Sequence, residues 1–272
     1  MIPAVRSILG ESPLYSRARD AIIWVDTYGG KLHFLHPVSH SYRCIDVPSP
    51  IGFVAEDTNG RLLTGIGCEI WLLNNHDRLE RLTVCPAARE GYRLNDARFD
   101  VAGRLWIGLI DERLTPGSGQ LFRYDADGSW HDIDGDFTLI NGLDWSLDGR
   151  SLYVTESHGG TIYAYDFDPA TGRAASKRNV FSVNPAEGKP DGLLVEPSGC
   201  LLSVLFDGAA ILRITPDGRI AKRYALPVPR PTSCAFSADY DTLFVTSATL
   251  GLSESSLAAC PLSGSLLALP WP

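Results

Sequence analysis

The 272-residue sequence lacks the features that mark several classes of protein. It has six cysteines, but no two of them form a C-x-x-C pair, which argues against a zinc site built from thiolates. No apolar run approaches the roughly 18 residues that a membrane-spanning helix needs, so no membrane partner is expected. No basic segment followed by an apolar one opens the sequence, so we expect no secretory signal. A cytoplasmic protein with reduced, buried cysteines is therefore expected.

Positive charge is also scarce. Lys and Arg number 24 against 32 Asp and Glu, the net charge is −8, and no basic cluster stands out. A nucleic-acid-binding surface is therefore not expected, whereas an acidic region suits a bound cation. The composition, 44% hydrophobic and 21% charged, is that of an ordinary globular protein that can bury a core.

Helical periodicity is absent, and a repeat of strand-like segments takes its place. Windows of about 11 residues show no apolar face at helical spacing, while short runs of β-branched, apolar and aromatic residues recur throughout. These runs group into six units, and each opens at a head position, namely residue 11, 52, 95, 141, 191 or 233. The heads are 41, 43, 46, 50 and 42 residues apart, a period typical of the four-stranded blade of a β-propeller.

The fourth unit shows the predicted blade most clearly. Its four strands are separated by glycine-containing turns and are predicted at residues 143–146, 151–156, 161–167 and 179–183. The sixth unit has three strands and ends at residues 265–269. We expect residues 4–9 to form its fourth strand, because a ring closed by both chain ends has no open sheet edge.

The sequence therefore predicts an all-β, six-bladed β-propeller with four antiparallel strands per blade. We expect one domain over residues 1–272, with the last blade closed by the N-terminal strand. The alternative is two separate β domains, near residues 1–135 and 136–272, although no linker-like composition marks that boundary.

The heads of the six units are the candidate site, because the first strand of every propeller blade lines the central channel. Glu11, Asn95, Asn141, Asp191 and Ser233 are therefore predicted to face one point at a channel mouth. Two carboxylates and two carboxamides are costly to bury without partners, and a hard divalent cation such as Ca²⁺ would satisfy them. Zinc or manganese with oxygen ligands is the alternative ion. Plain turns are the alternative at the Asn-Gly and Asp-Gly pairs.

Short motifs surround these heads: G-E-S-P at 10–13, R-L-N-D at 93–96, N-G-L-D-W-S at 141–146, P-D-G at 190–192 and T-S-C at 232–234. Together they resemble the regucalcin, gluconolactonase and luciferin-regenerating enzyme family. The resemblance implies a six-bladed propeller with one catalytic divalent metal ion held by Glu11, Asn141 and Asp191. It further implies that Arg93 and Asn95 contact the substrate and that Asp191 accepts a proton. Calcium is the favoured ion, and zinc, manganese or magnesium is the alternative.

Two segments depart from the family pattern. Members often carry G-T-M where this chain has G-L-I at residues 108–110. Some animal members bind substrate through a Glu where residues 115–119 contain no acid, and Asp111 and Glu112 lie nearby but out of register. Ile110, Glu112 and Ser233 are therefore candidates for the pocket wall. These departures bear on the identity of the substrate rather than on metal binding.

These features predict metal-dependent hydrolysis of a sugar lactone, such as gluconolactone or a pentonolactone. The metal would polarise the carbonyl group, and Asp191 would take the proton of the attacking water. No G-x-S-x-G motif supports a serine hydrolase. One alternative is a metal-dependent esterase or phosphotriesterase acting on non-sugar substrates, and another is a non-enzymatic calcium-binding propeller. We expect a monomer or a weak homo-oligomer whose partner is the small-molecule lactone.

Overall fold

The structure is a computed structural model that describes residues 5–74 and 76–271. Antiparallel sheets of neighbouring strands dominate it and surround a central channel. The predicted all-β, six-bladed β-propeller is confirmed. The exceptions to β structure within the described ranges are a short 3₁₀-helix, Pro185–Glu187, and a six-residue helix α1, Glu254–Ala259. No helix in these ranges is long and apolar enough to cross a membrane.

Each blade is an antiparallel sheet whose strands follow chain order from the channel outward. The first three blades contain β1 (Gly10–Ser16), β2 (Ala21–Asp26), β3 (Lys31–Leu35), β4 (Tyr42–Asp46), β5 (Ile51–Glu56), β6 (Leu62–Ile66), β7 (Glu69–Leu73), β8 (Leu79–Val84), β9 (Tyr92–Phe99), β10 (Leu105–Asp111), β11 (Gly119–Tyr124) and β12 (Trp130–Phe137). The last three contain β13 (Ile140–Trp145), β14 (Ser151–Glu156), β15 (Thr161–Asp168), β16 (Arg173–Ser182), β17 (Lys189–Val195), β18 (Leu201–Phe206), β19 (Ala210–Ile214), β20 (Ile220–Ala225), β21 (Pro231–Phe236), β22 (Thr242–Ser247) and β23 (Leu267–Pro270).

The first strand of every blade carries a β-bulge at the same place. On β13, the three steps from Ile140 to Leu143 lie opposite two steps on β14, from Glu156 to Val154. The same mismatch occurs in the other five blades. A bulge inserts one extra residue and breaks the alternation of side chains. The two residues within the bulges are Ser12-Pro13, Gly52-Phe53, Asn95-Asp96, Asn141-Gly142, Asp191-Gly192 and Thr232-Ser233.

The bulges correct the predicted register of two heads. Ser12 occupies the position in blade 1 that Asn95 occupies in blade 3, so Glu11 lies one residue earlier than predicted. Thr232 occupies this position in blade 6, so Ser233 lies one residue later. The interval between the heads is regular enough to reveal blades, but loop lengths differ between blades, so the interval does not fix the register to a single residue. Strand pairing therefore had to supply the register.

Glycine at two of the bulges lets neighbouring blades approach closely at the channel. A Cβ atom on Gly142 would lie 2.0 Å from the backbone nitrogen of Leu193, and one on Gly192 would lie 2.3 Å from Ser233 Oγ. Neither contact is sterically allowed, so these positions need glycine. The Asn-Gly and Asp-Gly pairs therefore serve strand-to-strand packing rather than plain turns.

The closure of the last blade differs from the prediction. Its sheet has three strands in the described part of the chain, and residues 5–8 form no strand, while residue 4 lies outside the described residues. Leu9 makes a single antiparallel bridge with Ala248, and Ser7 N donates a 2.8 Å hydrogen bond to Gly264 O. The segment leads directly into the innermost strand of blade 1. Residues 5–9 therefore contact the loops of blade 6, and within the described residues none of them pairs with β23.

Apolar side chains fill the spaces between adjacent blades. Between blades 3 and 4, the fully buried Trp106 meets Trp145 edge-on, with ring centroids 6.1 Å apart, and meets Phe167 at 5.5 Å. Burial of each such side chain favours folding by about 2–3 kcal/mol. The cysteines are all free, as expected. The expected burial is correct for Cys85, Cys200 and Cys234 but wrong for Cys44, which is exposed on the outer strand β4.

Candidate functional site at the channel mouth

A cavity of about 230 Å³ lies at the mouth where the first strands begin. Its polar lining includes the five predicted metal and substrate residues, Glu11, Arg93, Asn95, Asn141 and Asp191. Its remaining lining residues are Leu9, Tyr28, Ile110, Glu112, Leu114, Leu139, Ser157, Lys189, Phe206 and Leu250. Side chains that are 180 residues apart in sequence therefore converge, as the ring of heads predicted.

Ile110 and Glu112 lie in the wall of this cavity, where they were predicted, but Ser233 does not. Ser233 lines a second cavity of about 410 Å³, together with Ser12 and Asp96, that extends toward the C-terminal ends of the inner strands. It lies at the second bulge position of β21, directly against Gly192. Its position therefore supports the strand that carries Asp191 rather than the wall of the mouth cavity.

A directional chain of hydrogen bonds links the polar residues of three blades. Arg93 Nη1 donates to Asn95 Oδ1 at 2.5 Å, and Asn95 Nδ2 donates to Asn141 Oδ1. Asn141 Nδ2 then donates to Ser157 Oγ at 2.7 Å, and the Ser157 hydroxyl donates to the Pro190 carbonyl at 2.5 Å. Each amide is held in one orientation because its NH₂ group and its oxygen have different partners.

Ser157 is a site residue that the sequence did not reveal. It follows the second strand of blade 4, whereas the repeat pointed to the first strand of each blade. Only 2% of it is exposed, and it connects the bulge of β13 to the residue before Asp191. The neighbouring Glu156 stabilises the same region by accepting backbone hydrogen bonds from Leu139 at 3.0 Å and Gly159 at 2.5 Å.

Burial and like-charge repulsion perturb the carboxylates of the site. Burial, followed by repulsion from Asp191 and Asp96, raises the pKa of Glu11 well above its ordinary value. Burial and then repulsion from Asp96 raise the pKa of Asp191 well above its ordinary value. The positive charge of Arg93 opposes both shifts but does not cancel them. These oxygens therefore lie in a region where a cation would relieve unfavourable electrostatic energy.

A second layer of charge lies directly below the site. Burial raises the pKa of Asp96, while the nearby Arg98 opposes that shift. Arg98 Nη1 lies 2.6 Å from Asp144 Oδ2, which also accepts a 2.7 Å hydrogen bond from the backbone of Val195. The Asp of the N-G-L-D-W motif therefore has a structural contact with an arginine from the neighbouring blade. It also holds the backbone of the strand that carries Asp191.

Glu112 brings an acid into the cavity from the loop after β10. Its Oε1 lies 3.6 Å from Arg93 Nε and accepts a 3.4 Å hydrogen bond from the Tyr28 hydroxyl. Asp111 instead accepts a 2.5 Å hydrogen bond from Thr115 Oγ1 and does not line the cavity. Glu112 therefore supplies a third carboxylate to the pocket, besides those of Glu11 and Asp191, although residues 115–119 contain no acid.

Glu11, Asn141 and Asp191 are the residues that fit a divalent cation. They offer two carboxylates and one amide oxygen, the ligand types that hard cations prefer. Among residues 5–74 and 76–271, no group of three or more His, Cys, Asp and Glu side chains has the arrangement of a metal site. The proposed metal site therefore needs the amide oxygen of Asn141 as a ligand in addition to the two carboxylates. Ser157 accepts a hydrogen bond from the Asn141 NH₂ group, so the amide oxygen faces the other heads.

The fold and the site together define a six-bladed β-propeller with an oxygen-rich, acidic site at one mouth of its channel. The chain belongs to the SMP-30/gluconolactonase/LRE-like family, whose sequence profile matches residues 9–249. The resemblance seen in the sequence motifs is thereby confirmed.

Relatives of known name span nearly the whole chain. A 6-deoxy-6-sulfogluconolactonase of Pseudomonas putida is 33% identical over 265 residues, which cover 96% of this chain and 91% of that protein. Regucalcin of Xenopus laevis is 30% identical over 269 residues, with 95% and 89% covered. The crystal structure of a calcium-binding regucalcin from Agrobacterium tumefaciens superposes with a TM-score of 0.93 at 24% identity, covering 98% of this chain and 92% of that one.

Proposed function

We propose that the protein is a metal-dependent lactonase that opens a sugar lactone to the corresponding sugar acid. The observation that carries this proposal is the convergence of Glu11, Asn141 and Asp191 in one cavity, beside Arg93 and Asn95. Membership of the gluconolactonase-like family supports lactone hydrolysis as the reaction. The name of the relative from Pseudomonas putida, a sulfogluconolactonase, supports an aldonolactone as the substrate class.

Glu11, Asn141 and Asp191 would hold the metal ion. A divalent cation at these oxygens would supply polarisation of the lactone carbonyl and stabilisation of the negative charge that develops on its oxygen. Calcium suits the donor set, since two carboxylates and an amide leave room for further oxygen ligands. Zinc, manganese and magnesium also accept oxygen ligands and are the ions to compare with calcium.

Asp191 is the proposed general base. It lies on the floor of the cavity, and burial and repulsion from Asp96 raise its pKa well above that of an ordinary aspartate. The raised pKa makes its carboxylate a better proton acceptor, although a bound cation would reduce this shift. Asp191 would take a proton from the water that attacks the carbonyl carbon. It would then return the proton to the ring oxygen as the ester bond breaks.

Arg93 and Asn95 are proposed to orient the substrate. Arg93 is 5% exposed and lines the cavity, and in the described part of the chain its Nε makes no hydrogen bond. Glu112 lies 3.6 Å from this nitrogen, which is beyond a hydrogen bond. Arg93 therefore has an unpaired donor beside the cavity, and Asn95 Oδ1 holds its guanidinium group in place so that it can orient a substrate hydroxyl or carbonyl.

The direct test follows acid release from glucono-1,5-lactone and from a pentonolactone above the rate of spontaneous hydrolysis. Metal-stripped protein should be inactive, and activity should return when one divalent ion is added back. Asp191→Ala should lower kcat by a factor of about 100 or more, since general-base catalysis typically contributes that much. Asp148→Ala removes an exposed turn carboxylate and is the matched control. Full activity in Asp191→Ala, or in chelator, would contradict the proposed mechanism.

One observation favours testing a second substrate class in parallel. Part of the cavity lining is apolar and includes Ile110, Leu139, Phe206 and Leu250. Such a lining also suits a metal-dependent esterase or phosphotriesterase that acts on non-sugar compounds. Aryl esters and organophosphates should therefore accompany the lactones in the assay. A higher kcat/KM for either class than for all sugar lactones would favour this second function.

A further inference from the structure

Lys189 is a cation at the rim of the site to which neither the fold nor the proposed chemistry assigns a role. We propose that Lys189 binds a negatively charged substituent, a sulfonate or a phosphate, at the end of the substrate remote from the lactone carbonyl. This inference rests on the proposed lactonase function and deepens it by naming the class of substrate. The site would then recognise both ends of an anionic sugar lactone.

The position of Lys189 follows from its strand. It opens β17, two residues before Asp191, and its pairing with Phe206 is regular, as is that of Pro190 with Leu205. The bulge begins after Pro190, and Lys189 and Asp191 both line the mouth cavity. Two residues of strand separate their backbones by roughly 6.6 Å. The far substituent of a six-carbon lactone lies at a comparable distance from its carbonyl carbon.

Lys189 has no acidic partner, although acids lie on the loops around it. Glu187 faces Arg223 at 3.8 Å, and Asp207 contacts Arg230 at 2.6 Å. No carboxylate within residues 5–74 and 76–271 approaches the Lys189 ammonium group to within 4.0 Å. The acids of the adjacent loops are therefore engaged by arginines, and none of the cavity carboxylates of Glu11, Glu112 and Asp191 forms an ion pair with Lys189. The lysine charge is available to a ligand.

The surroundings of Lys189 differ from those of the other cation in the cavity. Arg93 lies 3.6 Å from Glu112, so part of its charge is already balanced. Lys189 is exposed and shares the cavity wall with Phe206 and Leu250. A neutral sugar lactone would leave this ammonium group unmatched at the rim. A sulfonate or phosphate would pair with it through charge-assisted hydrogen bonds.

The experiment compares kcat/KM for glucono-1,5-lactone, 6-deoxy-6-sulfogluconolactone and 6-phosphogluconolactone with the metal-loaded protein. The wild type should favour at least one charged lactone by a factor of about 10 to 100, the range for a hydrogen-bonded charge pair. This preference should shrink as salt is raised, because the Debye length is only about 10 Å at 0.1 M. The sulfonate and phosphate arms show which oxyanion is recognised.

Variants separate recognition from catalysis. Lys189→Met should abolish the preference by raising KM for the charged lactone while kcat and the neutral substrate change little. Lys189→Arg should retain most of the preference. Lys222→Met removes a lysine from β20, the outer strand of the same blade, and should change nothing. A metal-loaded wild type that hydrolyses glucono-1,5-lactone without favouring a charged lactone overturns this inference and leaves the lactonase function intact.

Retained preference in Lys189→Met also overturns the inference. If no lactone is hydrolysed, the proposed function fails, and calorimetry then tests Lys189 separately. The wild type should bind 6-phosphogluconate or 6-deoxy-6-sulfogluconate at least 10-fold more tightly than gluconate, and Lys189→Met should not, by the same charge-pair range. Equal affinity for the charged and neutral acids in the wild type contradicts the assignment in that case.

Discussion

The hydroxyl group of Ser157 determines the orientation of the Asn141 side chain. It accepts a 2.7 Å hydrogen bond from Asn141 Nδ2 and donates a 2.5 Å hydrogen bond to the carbonyl of Pro190. One buried serine thus joins the bulge of β13 to the residue that precedes Asp191. Two of the three proposed metal ligands are positioned relative to each other through this contact.

Replacement of Ser157 by alanine should weaken metal binding. The change removes the acceptor of the Asn141 NH₂ group and the side-chain donor to the Pro190 carbonyl, so the orientation of the amide oxygen then depends on Asn95 alone. We expect divalent-metal affinity to fall by a factor of about 10 to 100, the usual effect of losing a residue that orients a ligand. Isothermal titration calorimetry measures this directly. Ser203→Ala is the matched control, since its buried hydroxyl has no hydrogen-bond partner among the described residues.

Replacement of Asp191 by asparagine should leave the metal-free protein at least as stable as the wild type but reduce the stabilisation that metal provides. Asp191→Asn keeps the shape of the side chain but removes a buried charge that Glu11 and Asp96 repel. The metal-free variant should therefore unfold at a temperature no lower than the wild type. The wild type should gain about 2.7 kcal/mol when free metal is 100-fold above Kd, and the variant should gain much less.

Differential scanning calorimetry with and without metal checks this prediction. Asp148→Asn, at an exposed turn, should behave like the wild type in both conditions. A metal-free Asp191→Asn protein that melts well below the metal-free wild type would show that this carboxylate is stabilised by contacts other than a cation. Equal metal-induced stabilisation in both proteins would show that Asp191 is not a metal ligand.

A methyl group at the bulge of blade 4 should disrupt the approach of blade 5. In Gly142→Ala the new Cβ would lie 2.0 Å from Leu193 N, which is backbone and cannot rotate away. We expect a loss of about 3 kcal/mol in the free energy of unfolding, at the upper end of the cost of overpacking. Gly135→Ala is the control, since nothing lies within 4 Å of its added Cβ. Urea unfolding of both variants compares them, and equal stability would refute the steric argument.

The buried His33 should make the protein less stable in mild acid. Its ring stacks on Trp24 at 4.7 Å and contacts the Tyr42 hydroxyl at 2.8 Å, and burial lowers its pKa to about 4. The unfolded chain binds this proton near pH 6.5, so stability is lost as the pH falls from about 6.5 to about 4. The loss attributable to this residue is on the order of 3 kcal/mol at the acid end.

Chemical unfolding as a function of pH tests the role of His33. His33→Gln should reduce the slope of stability against pH in this window, even if the variant is less stable throughout. His76→Gln, at an exposed position, should leave the slope unchanged. An identical slope in wild type and His33→Gln would mean that other groups account for the acid sensitivity.

The repeat spacing alone predicted that Asn95, Asn141 and Asp191 occupy equivalent positions in their blades, and in the structure they do. The same spacing misplaced Glu11 and Ser233 by one residue, because loop lengths vary between blades and the interval does not fix the register to a single residue. Glu11 nevertheless lines the cavity. The repeat had predicted that Glu11 faces the channel mouth, and its role as a metal ligand was implied by the G-E-S-P motif.

The sequence by itself determined the six-bladed ring, because its period and its alternation of apolar strands and glycine turns are local properties of the chain. It also identified Asn95, Asn141 and Asp191 as equivalent polar residues of the inner strands. Tertiary structure alone decided the bulges, the Asn141–Ser157 contact, the entry of Glu112 into the pocket and the course of residues 5–9. These depend on which strands and loops meet across the ring, and residues far apart in the chain carry no local signal of their contact.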